Sequence, residues 1–248
     1  MSTTHPLISE LKPWLKEIYY DLIVPRRIAI KNHDFIKAME LGSVGKHQAL
    51  QYFSGLMWHL LDFGKHVAHL TNKRPLEIGT FLAGRSEDED GDTEILGKIV
   101  KAFGGDPTEI THSPWTQKVH PIWIQHDALL RSAIYSTDFS WAVGTAALNI
   151  GIESLVPSMI EPLFRASVRT YQVSSNEAKW LESRSGEEEK QHGENGFFIL
   201  NRFVDEHDSA LLAQCRFYIE ALSHSMANRL LLTGMKDASR PFISNLTS

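Results

Sequence analysis

Phe53, Leu56, Leu60, Phe63, Val67 and Leu70 recur at steps of three or four, and this spacing restricts the fold more than any other feature of the chain. It lays a single apolar stripe along an α-helix, and such a stripe has to be buried against other elements. The same period recurs elsewhere. Trp14, Leu15, Ile18, Tyr19 and Leu22 follow Pro13, which suits a first helical turn, and Pro25 is expected to stop the run. A short helix is expected over Asp34 to Leu41, ending at Gly42, and an amphipathic one through Ile95, Leu96, Ile99 and Phe103, ending at Gly104-Gly105. Apolar helices follow over 122–136 and 139–172, the second expected to kink or divide at Pro157 and Pro162. Ser174 and Glu177 stand at capping-box spacing and predict a helix from there to Arg202. A last helix over 205–233 carries Leu212, Cys215, Ile219, Leu222, Met226 and Leu230 on one face, with Gly234 as its cap. No alternation of period two competes. The expected class is therefore all-α, with one domain over 1–235 and a polar tail over 236–248.

Charge and cysteine content narrow the function classes. The 30 acidic residues outnumber the 25 basic ones, for a net charge of −5, and no basic run reaches five residues. A nucleic-acid surface needs clustered cations, so none is expected. One cysteine, Cys215, leaves no internal disulfide and suits a reducing compartment. No apolar run is expected to reach a membrane span, and the polar start from Met1 to Pro6 is no signal peptide. The reading is a cytoplasmic protein with no membrane partner.

Three polar features are candidates for chemistry. Tyr52, His59, Asp62, His66 and His69 form a second stripe, one residue (about 100°) round from the apolar one. Histidine and aspartate so placed can ligate a metal or relay protons; equally, the stripe can be the wet flank of the helix. His59, between Trp58 and Leu60, is the member expected to be buried. Glu153 lies in Ala146-Ala-Leu-Asn-Ile-Gly-Ile-Glu-Ser-Leu-Val, where a carboxylate needs a partner, a proton or a metal. Arg165 or Arg169 can supply that partner. Glu189 and His192 are three apart, so both side chains share one helix face, as in the Glu-x-x-His pairs of bundle metal sites. A Glu-rich helix start is also favoured by the helix dipole alone.

In this order and spacing, the pieces resemble the haem-oxygenase-like superfamily. That group includes TenA-type thiamin enzymes, the oxidase of pyrroloquinoline-quinone synthesis, chlamydial CADD-type proteins and related di-iron oxidases. The resemblance covers most of the chain and is closest to the CADD-type branch. It is carried by Asn32–Gly42 leading into the helix with Tyr52, by Glu94–Asp106, and by Gly151-Ile-Glu-Ser-Leu-Val-Pro157 followed by Trp180-Leu181 and Glu189-x-x-His192. It implies a bundle of about seven to nine helices and, in its di-iron members, six ligands. Residue by residue, Glu153 matches the glutamate of the apolar helix and His192 the last histidine, while Glu189 replaces an aspartate. Ser185 and Asp92 stand where two histidines belong. Arg85 stands where a glutamate belongs, unless a shorter loop brings in Glu89.

The functions implied by the resemblance divide three ways. One is an oxidoreductase-like enzyme on a small organic molecule, using iron or manganese at Glu153, Glu189 and His192, with His59 or His66 recruited and Tyr52 as a further catalytic candidate. The second is a metal-free binding or acid–base protein using the same pocket. The third is an interaction protein whose pocket is filled by side chains. A thiamin hydrolase would need a nucleophilic cysteine, and Cys215 lies on a core face. His33, the one candidate for a haem ligand, reads as a helix start, so neither haem nor a nucleotide is expected. A homodimer is the expected assembly.

Overall fold

The computed structural model describes residues 6–75, 78, 92–112, 119–136 and 140–235. Among them every regular element is a helix, as the three-to-four period requires. Helix α1 (Pro13–Glu17) begins on its proline. It does not stop at Pro25: a π-helical turn (Ile18–Ile23) leads directly into α2 (Val24–Asn32), with Pro25 in its first turn. The widened turn shifts the hydrogen-bond register, and the amide that proline lacks is lost where the ladder is already interrupted. Helix α3 (Asp34–Glu40) starts at His33, whose Nδ1 accepts from the Phe35 amide at 3.1 Å. That occupies His33 as a cap.

The long apolar stripe forms two helices, α4 (Lys46–Leu60) and α5 (Phe63–Lys73), separated at Leu61–Asp62. Phe53, Leu56, Phe63, Val67 and Leu70 are all buried, so the stripe survives the break. Beyond lie α6 (Asp92–Ala102), α7 (Pro107–His112) and α8 (Pro121–Tyr135), which starts on a proline with His120 as its cap.

Helix α9 (Trp141–Thr145) passes through a π-helical turn (Ala146–Ile150) and a 3-10 turn (Glu153–Leu155) into α10 (Val156–Arg169). The division falls just ahead of Pro157, which occupies the first turn of α10, whereas Pro162 lies within the helix. By composition this stretch is long and apolar enough to cross a membrane, contrary to the expectation of no such run. Its most apolar window is 94% buried by the rest of the bundle, as a core helix is.

The reciprocal bonds of the predicted capping box form: Ser174 N–H donates to Glu177 Oε2 at 3.0 Å, and Glu177 N–H to Ser174 Oγ at 3.3 Å. They close a turn ahead of α11 (Lys179–Arg184), and the predicted single helix is divided there from α12 (Glu187–Phe203). Helix α13 (Ser209–His224) is capped by Asp208 and runs on through a π-helical turn (Ser225–Leu230) to Gly234. One continuous apolar core runs from Ile8 to Leu231.

A close approach between two elements sets up the site. Helix α12 packs on the irregular stretch between α9 and α10. A Cβ at Gly193 would sit 2.6 Å from Ser154 Cα, and one at Gly196 would sit 2.5 Å from Asn149 Cβ. Only glycine allows that contact.

Candidate functional site

Glu153 opens the 3-10 turn and is 2% exposed. Among the described residues Asn149 holds it, with Nδ2 donating to Glu153 Oε2 at 2.6 Å. Arg165 plays no part, being bound to Glu161 at 2.8 Å and Glu40 at 3.2 Å. Buried Arg74 holds the amide in turn: its Nη2 donates to Asn149 Oδ1 at 3.2 Å, and its Nε to Thr145 Oγ1 at 3.1 Å. A guanidinium has only donors, so Asn149 must present its oxygen to Arg74 and its NH2 to the carboxyl. The same Nδ2 lies 3.4 Å from the His192 carbonyl oxygen. Glu153 and the buried His192 therefore meet at one amide, from two separate elements.

Most of the rest of the expected ligand set lies outside the described residues. Glu189 lies one turn before His192 on α12; its side chain and that of Asp92 lie outside the described residues, as do Glu89 and Arg85 entirely. Ser185 Oγ donates to the Glu182 carbonyl at 2.7 Å and is spent on its own helix end. Among the described residues no three His, Cys, Asp or Glu side chains are arranged to hold a metal ion. The donors among those residues therefore do not make the six-ligand set that the resemblance implies.

Glu153 forms part of the wall of a cavity of about 40 Å³, with His59, Phe63, Trp123, Met159 and Trp180 among its other walls. Its half-buried members are Leu60, Val156 and Arg184, which mark the rim. The lining is otherwise apolar, mostly aliphatic and methionine side chains with the rings of Phe63, Trp123 and Trp180.

The second stripe proves to be inward at three positions: Tyr52, His59 and His66 are buried, while Asp62 is half-buried and His69 exposed. His59 and His66 converge on Asp127 of α8. His59 Nδ1 and His66 Nε2 each lie 3.5 Å from Asp127 Oδ1, ion-pair contacts at the limit of hydrogen-bond length. His66 Nδ1 pairs with the Tyr135 hydroxyl at 2.8 Å. Asp127 Oδ2 accepts from Arg131 Nε at 2.5 Å, and Arg131 Nη2 donates to Asp62 at 2.9 Å. Burial alone would raise the Asp127 pKa, but the contacts of His59, His66 and Arg131 outweigh it and hold the carboxyl well below the usual carboxylate range. His126 is fully buried with its ring 5.1 Å from that of His59; burial first, and His59 second, push its pKa far down and keep it neutral.

Two further positions can be placed. Tyr52 donates to Met159 Sδ at 3.0 Å, behind the cavity wall, and burial raises its pKa, so its proton is held tightly. Cys215 is fully buried, and burial, helped by Asp208, pushes its thiol up to about 12. No thiolate is available there at neutral pH.

Asn149, Arg74, His126 and Asp127 were not among the residues singled out from sequence. Asp127 carried a usable signal: it is the one acidic residue of the apolar helix α8, the pattern that marked Glu153. Asn149 stands four residues before Glu153, on the same helical face.

No protein-family model matches the chain, and no curated protein matches it either. Solved structures do. A TenA homologue from Pseudomonas syringae superposes with a TM-score of 0.80 at 16% identity, over 95% of this chain and 98% of its own. A domain of unknown function with a haem oxygenase-like fold, from Shewanella denitrificans, gives 0.71 at 15% identity, over 89% of this chain and 91% of its own. A TenA family transcription regulator from Silicibacter gives 0.56 at 11% identity, over 93% and 95% of the two chains. At these identities the likeness defines the fold: the chain is an all-α, haem-oxygenase-like bundle.

Proposed function

We propose that the chain binds a small organic molecule in the cavity beside Glu153 and acts on it by acid–base chemistry that needs no metal. The cavity itself carries this reading. Its walls suit an apolar body, and its polar members include Glu153 and His59, both able to accept a hydrogen bond. A ligand with an apolar ring or chain and one O–H or N–H donor is the chemical complement. The free space of about 40 Å³ is smaller than a phenol, so entry displaces the half-buried rim at Leu60, Val156 and Arg184. The Asn149 hydrogen bond keeps the Glu153 carboxyl oriented in the absence of ligand.

Phenol is a suitable probe, followed through the indole N–H signals of Trp123 and Trp180 in the full chain. Saturable shifts of both are expected, with weaker binding in Glu153→Gln and unchanged metal content. A panel of small phenols, anilines and alcohols that moves neither signal would overturn the proposal. The same reading includes a cytoplasmic location, in keeping with a single buried thiol, and a homodimer, which light scattering would check.

A second reading, an oxidoreductase-like protein in which Glu153, His192 and Glu189 hold one iron or manganese ion, is supported by Asn149 bonding both the Glu153 carboxyl and the His192 main-chain carbonyl, which sets the two segments side by side. There the metal would supply Lewis-acid or redox chemistry, and the chain's own residues would orient the ligand. Anaerobic reconstitution is the test. Metal content well below about 0.2 per chain eliminates this reading, and stoichiometric binding that His192→Ala abolishes supports it.

A further inference from the structure

We propose that His59 is the proton acceptor of the cavity, and that Asp127 positions it and connects it to a polar groove on the protein surface. The proposal rests on the small-molecule reading above.

His59 lines the cavity and is 5% exposed, yet neither of its ring nitrogens makes a hydrogen bond of good geometry among the described residues. A buried imidazole nitrogen without a partner is rare in a folded protein and calls for an explanation. Among those residues only Nδ1 has a neighbour of opposite charge, Asp127 Oδ1 at 3.5 Å. A carboxylate on that side favours the Nδ1–H tautomer and leaves the Nε2 lone pair open, the orienting role an aspartate plays toward a catalytic histidine. Asp127 is itself fixed from behind. Arg131 Nε holds Oδ2, and Arg131 also grips Asp62, so Oδ1 faces the two imidazoles of His59 and His66.

The surroundings suit one added positive charge at His59. His126, the nearest other ring, is neutral; His66 stands across Asp127, Glu153 lines the same cavity, and Arg184 is at the rim. In the step itself a ligand O–H or N–H bond breaks, a new N–H bond forms at Nε2, and the electron pair stays on the ligand. Asp127 neutralises the resulting imidazolium, and the same proton can return to the ligand at the same or another atom. No oxidant or reductant takes part. Asp127, Asp62, Lys65 and Arg131 also line the groove outside. The carboxylate thus touches both the cavity residue and the solvent-facing side.

Nitrogen-15 NMR of histidine-labelled full-length protein tests this. In the wild type His59 is expected as the Nδ1–H tautomer, and phenol is expected to shift its Nε2 signal together with the indoles of Trp123 and Trp180. In Asp127→Asn the Arg131 donor still requires an oxygen, so the amide turns its NH2 toward His59 and inverts the tautomer to Nε2–H. Phenol binding then weakens on the order of tenfold, and the Nε2 response is lost. A purely structural aspartate would leave the Nε2 response to phenol intact. A wild-type His59 carrying its proton on Nε2 would overturn the proposal even if Asp127→Asn does not fold. So would an Asp127→Asn variant with unchanged tautomer and response. Phenol shifting the indoles but not His59 sinks this proposal alone, whereas phenol shifting neither sinks the small-molecule reading on which it rests.

Discussion

The polar groups at Glu153 and those at His59 contribute to one cavity but are built differently. At Glu153 the contacts are short and directional. Arg74 fixes Asn149, Asn149 fixes the carboxyl, and two glycines of α12 let the backbone close in behind. At His59 the contacts are long: two imidazoles share one carboxylate oxygen at 3.5 Å, and ring nitrogens remain without hydrogen bonds among the described residues. A network in which Arg74, Asn149 and Glu153 hold one another through short bonds mainly contributes rigidity. The looser one retains capacity to take a proton or a ligand. Mutations in the first region should therefore cost stability, and mutations in the second should change chemistry at smaller structural cost.

Asn149→Leu should produce the largest loss. It strips the carboxyl of its 2.6 Å donor and leaves Arg74 facing a hydrocarbon, so urea unfolding should register a loss of about 3 kcal/mol. Gly193→Ala pushes α12 away from Ser154 and should cost about 2 kcal/mol in the same assay. If either variant unfolds like the wild type, the tight half of the comparison is wrong.

Asp127→Asn should cost less, about 1–2 kcal/mol at pH 7, because the amide still accepts from Arg131. Its pH dependence is the sharper test. The folded pKa of Asp127 lies below its unfolded value, so its contribution is complete above about pH 4 and is lost as pH falls through the folded value. Below about pH 4 the stability gap between wild type and Asp127→Asn should therefore narrow, as the unfolded chain takes up a proton that the folded carboxylate resists. A gap that does not narrow in that acidic range contradicts the ionised carboxylate. Smallest of all is Arg165→Ala: its two ion pairs are half-exposed, so the change in stability should stay below about 0.5 kcal/mol.

Much of the bundle was legible because burial imposes a period that sequence displays directly. The stripe from Phe53 to Leu70 and the face of α13 fell where expected. Boundaries were less legible. Pro25 sits inside a continuous helical run because a π turn absorbs it, and the capping box at Ser174 closes only a turn, since Ser185-Gly186 separates α11 from α12. Those outcomes depend on the side chains packed around each turn, which no local pattern encodes. At the site, Glu153 announced itself as a carboxylate in an apolar helix, but its partner did not. Arginine was the natural guess from charge, and a neutral asparagine held by a distant arginine was found instead. Asp127 gave the same compositional signal as Glu153. Its meaning emerged only when α4 and α5 were seen to deliver His59 and His66 to it.

Soaking crystals of the full chain in phenol tests the central claim most directly. Density for phenol is expected between Trp123 and Trp180, with its oxygen within hydrogen-bonding distance of His59 Nε2 or the Glu153 carboxyl. A cavity that stays closed by its own side chains, with phenol bound only at the surface, would contradict the claim.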